Sequence, residues 1–410
     1  MERTWIKDLR EKIGKSVSVS AYVDVARDQG KLVFFDLRDM SGSVQAVVPP
    51  ASAAMETAKE VRQQFTVRAI GKVNKRPEKN INLEKQNGDI ELAIESLEIL
   101  GRAQPLPFAL DAELNLETHL DNLPLTLRTG RSRDIFTMQA SILDAYRDSL
   151  RARGFTEFIA PGLVGGDAEG GAAAFKVEYF RETEAFLATS PQFYKQIMVA
   201  PFERAFTIAK IFRAEKSATT RHLSEATCMD FEMGFIENER EPMRVLEQAI
   251  RDTVRTVGEK HADIFKRFNV PFPLVPDEIP VLTLAEAHDT LGVPHEPDME
   301  PEHERTICAW AKEKKNSDFV FITRFHTKKR AFYTYEDPSE APFSRGFDLL
   351  FRGLEINSGA QRIHDYDMLV ARMKDRGLDP SKFSFYLQAF KYGMPPHGGS
   401  STGLERFTAR

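Results

Sequence analysis

Between residues 16 and 100, apolar and polar positions alternate with a period of two. In "SVSVSAYVDV", Val17, Val19, Ala21, Val23 and Val25 fall on one face and small or polar residues on the other, as in a half-buried strand. "KLVFFDLRD", "SVQAVV", "FTVRAIGKV" and "DIELAIESLEIL" repeat the pattern, separated by Gly, Asn, Asp or polar turns. The polar stretch 51–64, between the third and fourth runs, reads as helix. Five strands with one helix in that place suit a small barrel of the OB type, although the pattern alone equally describes any small β domain.

The pattern then changes. "RAQPLPFAL", residues 102–110, is broken by Pro105 and Pro107 and reads as a connector. In "SRDIFTMQASILDAYRDSLRARGF", Ile135, Ile142, Tyr146 and Leu150 recur at three-to-four spacing, and Gly154 stands where a helix should stop. From there onward strands and helices mix without regular βαβ alternation. The expected class is α+β with a mainly antiparallel sheet, divided into a barrel over 1–103, a hinge over 104–130 and a second domain over 131–410. No P-loop or GxGxxG element is present, so any nucleotide is held another way.

With 42% apolar and 29% charged residues, the 410-residue chain is ordinary globular protein of two or three domains. A net charge of −5 argues against a protein that coats nucleic acid with its whole surface. The N-terminal "MERTWIKDLREKIGK" lacks the apolar core of a signal peptide, and no apolar run is long enough to span a bilayer. Cys228 and Cys308 form neither a disulfide framework nor a CxxC pair. A cytoplasmic protein is expected.

The densest chemistry lies in "FRAEKSATTRHLSEATCMDFEMGFI", residues 212–236. It reads as a hairpin. Arg213 and Glu215 share a face at the end of the first strand. On the return strand Met229, Phe231, Met233 and Phe235 point one way, and Cys228, Asp230 and Glu232 the other. The link carries Arg221 and His222. Guanidiniums suit phosphate oxygens through bidentate, charge-assisted hydrogen bonds, and a nearby carboxylate can accept from an exocyclic amine. On residues alone, a solvated charged hairpin explains the stretch as well.

In sequence, FRAE–loop–TRH–SE resembles motif 2 of the class II aminoacyl-tRNA synthetases. "GFTEFIAPGLV", with Pro161, resembles motif 1, and "GLERF", 403–407, the end of motif 3. "SPQFYKQ" (190–196), "FDLLFRGLEINSGAQRIHDYD" (347–367) and "FYLQAFKYGMPPHGG" (385–399) are similar to the aspartyl branch in its shorter, archaeal-like form. The resemblance covers nearly the whole chain. It implies a homodimer built across motif 1 and an OB domain that grips an anticodon. It also implies ATP-dependent joining of L-aspartate to tRNA-Asp, with tRNA-Asn as a possible second acceptor.

By the same resemblance, Arg213 holds the α-phosphate and the substrate carboxylate, and Glu215 reads adenine. Arg221 and His222 reach the γ-phosphate, and Arg406 stacks on adenine; Arg213 and Arg406 are the catalytic cations. Glu355, Ser358 and Asp348 match the positions that hold Mg²⁺. Arg362 and Lys195 suit an aspartate side chain, while Asp230, Gln192 and Ser190 are candidates for its ammonium group, with Ser358 nearby. Glu169 belongs to a loop that closes on the substrate, with Gly170 and Gly171 as its hinge. In the barrel, Phe34 and Gln45 match the uridine-reading positions, with Arg27 beside them. Of the neighbours Phe34 and Phe35, one should be barrel core.

Two departures stand out. "GGSSTGLERF" has Ser401 where motif 3 usually has glycine, and Ala226 stands where many relatives have phenylalanine. The rival readings are an asparaginyl or lysyl synthetase, a tRNA-independent asparagine synthetase, and a catalytically silent paralogue. Lys195 and "QRIHDYD" speak against the asparaginyl and lysyl synthetases, the OB-like N-terminus speaks against the tRNA-independent enzyme, and the silent paralogue stays open.

Overall fold

The alternation of the first hundred residues becomes a closed barrel. Its strands are β1 (Ser16–Asp28), β2 (Val33–Asp39), β3 (Gly42–Val48), β4 (Thr66–Lys75) and β5 (Ile90–Gly101), in the order β1-β2-β3-β5-β4, with β4 returning to β1. A short helix, Met55–Glu60, lies between β3 and β4, within the stretch 51–64. Val17, Val19, Val23, Phe35, Leu37 and Leu92 fill the interior. Phe35 is the core member of its pair and Phe34 faces outward. The expected inward position of Val25 does not hold. The register shifts by one residue between Val23 and Val25, and this bulge turns Val25 to solvent.

The structure, a computed structural model, describes residues 1–166, 174–180, 183–215 and 223–410. These fall into two compact units, Met1–Asp121 and Asn122–Arg410. Short helices Leu116–Asp121 and Leu123–Thr126 lie within the stretch read as hinge.

The second unit is organised by one eight-stranded sheet. Its strands are β6 (Thr156–Glu157), β10 (Arg204–Phe212), β11 (Glu225–Gly234), β12 (Val281–Thr283), β13 (Phe319–Thr323), β14 (Gly346–Phe351), β15 (Leu354–Arg362) and β16 (His397–Gly403). The order is β12-β13-β14-β15-β16-β11-β10-β6. Pairing is antiparallel through the middle and parallel only at the two edges, β12 with β13 and β6 with β10. Three further strands, β7 (Leu163–Val164), β8 (Lys176–Glu178) and β9 (Glu184–Leu187), form a small separate sheet.

Two long helices, Gly130–Ala152 and Arg240–Phe268, cover one face. Ile142, Tyr146 and Leu150 of the first and Leu246 and Ile250 of the second pack with Phe206, Phe231, Phe319 and Phe351 of the sheet. This is the apolar stripe read from the three-to-four spacing, except that Ile135, two turns before Ile142, is exposed. The opposite face is covered only at its sides. Val320, Ile322 and Leu350 pack there on helices Leu284–Leu291 and Pro301–Lys315. Helices Gln192–Phe202, Tyr366–Asp375 and Ser384–Lys391 join Phe332, Tyr333 and Ile363 in another cluster.

Candidate active site

On β11 the period of two separates core from chemistry. Met229, Phe231 and Met233 are buried against the long helices, and Cys228, Asp230 and Glu232 point to the opposite face. Phe235 departs from the expected core face. The strand ends at Gly234, Phe235 turns with φ 58°, and its ring is exposed.

Nor is the polar face of β11 solvated. Asp230 and Glu232 are 1% and 0% exposed. Lys195, from helix Gln192–Phe202, is also fully buried and donates to Asp230 Oδ2 at 3.0 Å and to the Ser400 carbonyl at 3.2 Å. Its Nζ lies 3.5 Å from Glu232 Oε2. Arg362, at the end of β15, donates through Nε to Glu232 Oε1 at 2.9 Å and through Nη2 to the Gly399 carbonyl at 3.0 Å. Two cations and two carboxylates thus neutralise each other in the interior. Burial pushes the Glu232 carboxyl up, but Arg362 and Lys195 outweigh it and hold the group below its usual range.

Close packing shapes this floor. A Cβ on Gly399 would lie 2.0 Å from the Phe231 carbonyl oxygen and 2.6 Å from Glu232 Oε2, so only glycine lets β16 pass the ion pairs. Behind Arg362 runs a hydrogen-bonded chain. Tyr386 donates to Gln196 at 3.0 Å, and Gln196 Nε2 lies 2.8 Å from His397 Nε2. His397 Nδ1 is 2.8 Å from the Pro395 carbonyl, which fixes Nδ1–H as donor and Nε2 as acceptor, a neutral ring. Burial, the largest influence, depresses its pKa from 6.5 to about 4. A base with a depressed folded pKa adds stability that is complete above the unfolded value and is lost as pH falls towards the folded one. Between pH 7.5 and 5 this group should cost about 2 kcal/mol. Urea unfolding at the two pH values should show a drop that is correspondingly smaller in His397→Asn.

Over this floor opens a cavity of about 460 Å³. Ser190, Gln192, Lys195, Arg213, Glu215, Glu355, Ser358, Arg362 and Arg406 all line it, although they come from four separate stretches of chain. Gln192 presents a buried Nε2 with no hydrogen-bond partner among the described residues, a donor ready for a ligand. Glu355 and Ser358 are three apart, a spacing that would put them on opposite faces of a regular strand. A register shift in β15, opposite Leu349 and Leu350, brings both to the cavity. Arg406 donates to the Glu355 carbonyl at 2.9 Å, and Glu405, beside it, accepts the Thr227 amide, which ties the last helix to β11.

Asp230 and Asp348 stand one step back, each turned to a cation. Asp230 faces Lys195, and both oxygens of Asp348 take Arg330, at 2.9 and 2.7 Å. Arg330 also donates to Ser358 Oγ at 3.1 Å and lies over the Phe325 ring. Burial and the Asp348 charge push the Glu355 carboxyl up to about 7, with Arg406 and Arg330 pulling the other way. Glu169, Arg221 and His222, with Gly170 and Gly171, lie outside the described residues.

Arg330 went unassigned in the sequence, where it sits in the basic run "HTKKRAFY", residues 326–333, which reads either as a tRNA contact or as a solvated turn. In the fold Thr327, Phe332 and Tyr333 of that run are buried, and Arg330, Ala331 and Tyr333 line the cavity. Gln196 and His397 carried no signal of their own. Glu232 did, through its place two residues beyond Asp230.

In the barrel unit Arg27, Phe34, Asp36 and Gln45 meet on the outer surface. Arg27 pairs with Phe34 across β1 and β2, and Asp36 with Gln45 across β2 and β3. Arg27 and Lys85 both reach Asp36, at 3.0 Å each. A ring flanked by cations and an amide on an exposed sheet is an arrangement that suits an unstacked base.

Comparison with known proteins agrees with this geometry. The family described as tRNA synthetases class II (D, K and N) matches residues 115–410, and the OB-fold nucleic acid binding domain family matches residues 17–100. The aspartate–tRNA(Asp/Asn) ligase of Thermus thermophilus is 39% identical over all of this chain and 94% of its own length. The aspartate–tRNA(Asp) ligase of Pyrococcus horikoshii is 36% identical over 97% of this chain and 92% of its own. The crystal structure of asparaginyl-tRNA synthetase from Pyrococcus horikoshii with asparaginyl-adenylate superposes with a TM-score of 0.90 at 28% identity, over 100% of this chain and 94% of that one. The cavity framed by motif-like residues, the barrel beside it in sequence and these matches place the chain in the class II aminoacyl-tRNA synthetases of the D, K and N group.

Proposed function

We propose that the chain ligates L-aspartate to the 3′ end of tRNA-Asp through an aspartyl-adenylate. The observation that carries this reading is the pair Lys195 and Arg362, two buried cations at one end of a cavity whose other end holds Arg213 and Arg406. A side-chain carboxylate finds charge-assisted donors at the first end, where an amide would not need them. The α-carboxylate oxygen then attacks the α-phosphorus, the bond to the β-phosphate breaks, and pyrophosphate leaves. Arg213 and Arg406 stabilise charge on the phosphate oxygens, and the reaction needs position and electrostatics rather than a protein nucleophile. Glu215 reads the adenine amine. Ser190 and Gln192 help place the amino acid. In the second step the terminal ribose hydroxyl of tRNA attacks the activated carbonyl and AMP leaves.

Glu355 and Ser358 fit Mg²⁺. They are hard oxygen donors that face one cavity, and Glu355 is a carboxyl that its neighbours leave under-neutralised. Asp348 would hold the ion only by releasing Arg330. A bound divalent cation would supply charge to offset the phosphates. The homodimer, the cytoplasmic location, the hinge over 104–130, the lid role of Glu169 and the γ-phosphate roles of Arg221 and His222 belong to the same proposal.

The barrel reads the anticodon through Phe34, Gln45 and Arg27. Stacking on an aromatic ring contributes roughly 1–3 kcal/mol per base, so Phe34→Ala should weaken tRNA binding by about five- to 150-fold. Pyrophosphate exchange without tRNA should stay unchanged. A filter-binding titration beside the exchange assay checks both.

The relatives named for tRNA(Asp/Asn) and those named for tRNA(Asp) match to nearly the same degree, so the test must separate two acceptors. Purified tRNA-Asp and tRNA-Asn transcripts are offered with labelled aspartate. Charging of the first alone gives a discriminating enzyme, and charging of both a non-discriminating one. Failure with both, together with no aspartate-dependent exchange, would refute the proposal.

A further inference from the structure

Ser401 occupies a place in the site that no role yet accounts for. Asp230, Ser401, Ser358 and Asp348 are direct cross-strand neighbours on β11, β16, β15 and β14, and form one row across the pocket face. On that face of β16 the residues either side of Ser401 are Gly399 and Gly403, which have no side chain. Ser401 is thus the one side chain that this part of β16 extends into the cavity. It stands between the end that holds Lys195 and the end that holds Ser358 and Arg330.

Its hydroxyl proton is committed. Oγ donates to Asp230 Oδ1 at 2.6 Å, the short length of a hydroxyl bonded to a carboxylate. The other carboxylate oxygen takes Lys195. A serine hydroxyl has one proton and two lone pairs, so towards the cavity Ser401 can only accept. Its oxygen is made more negative by the buried carboxylate behind it, and Asp230 itself does not line the cavity. The floor therefore presents an acceptor between two sets of cations, where a ligand carrying two carboxylates and one ammonium needs one.

We infer that Ser401 Oγ receives the α-ammonium of the amino acid, with Asp230 acting through it as a positioning residue. This rests on the aspartate reading above. The reaction is unaltered: the hydroxyl keeps its proton and accepts a hydrogen bond from the ammonium.

The test is aspartate-dependent ATP–pyrophosphate exchange by the full chain and by Ser401→Ala, Ser401→Gly and Ser401→Thr. Loss of one hydrogen bond to a charged group predicts a rise in KM for aspartate of roughly tenfold in the Ala and Gly variants. KM for ATP should stay within about twofold, and Thr, which keeps the hydroxyl, should restore the aspartate KM. Inhibition by succinate, which has both carboxylates and no ammonium, should be no weaker in the Ala variant than in the unaltered chain. An unchanged aspartate KM in Ser401→Ala, or a parallel loss for ATP and succinate, would overturn the inference and leave the aspartate reading standing. No exchange by the unaltered chain would overturn both.

Discussion

Arg362→Ala should lower kcat/KM for aspartate in pyrophosphate exchange by about a thousandfold. Two losses combine. The substrate carboxylate loses its guanidinium partner, and Glu232, fully buried, keeps only Lys195 at 3.5 Å. A buried carboxylate left short of partners either takes up a proton or disturbs its surroundings, and both outcomes spoil the pocket. Removing one member of a buried pair costs roughly 3–5 kcal/mol, which sets the size of the effect. The KM for ATP should change far less, because Arg213, Glu215 and Arg406 lie elsewhere on the cavity wall. Steady-state exchange with each substrate varied in turn checks the split. A loss under about tenfold would mean that Arg362 is structural and that another group binds the substrate side chain.

Lys195→Met should be the most destabilising single change in the site. One ammonium serves Asp230, the Ser400 carbonyl and Glu232 directly, at 3.0, 3.2 and 3.5 Å. Methionine matches its volume, so the loss is electrostatic and not a cavity. Asp230 would retain Ser401 alone, and Glu232 would retain Arg362. The expected cost is roughly 3–5 kcal/mol by urea unfolding. Adding Asp230→Asn to Lys195→Met removes one of the stranded charges and should recover part of that loss, a coupling that a double-mutant cycle measures directly. A single-variant cost below about 1 kcal/mol, or no recovery in the double variant, would contradict the compensated-charge picture of the floor.

Much of this was legible because two periods dominate the chain. The period of two drew β1 to β5 and split β11 into Met229, Phe231 and Met233 against Asp230 and Glu232. The three-to-four period drew Ile142, Tyr146 and Leu150. Legibility failed where the backbone breaks its own period. The bulge after Val23 and the end of β11 at Gly234 each sent an apolar residue outward. The bulge in β15 did the reverse, and brought Glu355 and Ser358 to one cavity. Failure also came where burial is decided by distant chain. Arg330 sits in a run of five polar or basic residues, and only the fold sets it between Asp348, Ser358 and Phe325. The motif resemblance supplied the names of most cavity residues. It did not show that Asp230 and Asp348 would be turned to cations behind the wall.

The position of β16 bears on how the molecule is made. This strand is drawn from residues 397–403, yet it sits in the middle of the sheet between β11 and β15. On the ribosome, everything needed for the two flanking halves emerges first. Until the 397–403 segment clears the exit tunnel, β11 and β15 each present an open edge of unpaired amides and carbonyls. Arg362 and Lys195 likewise lack the Gly399 and Ser400 carbonyls they donate to until that segment is in place. Without this one late segment the sheet is two halves and the ionic centre is incomplete, so the fold of the second unit closes only when its last strand is in place.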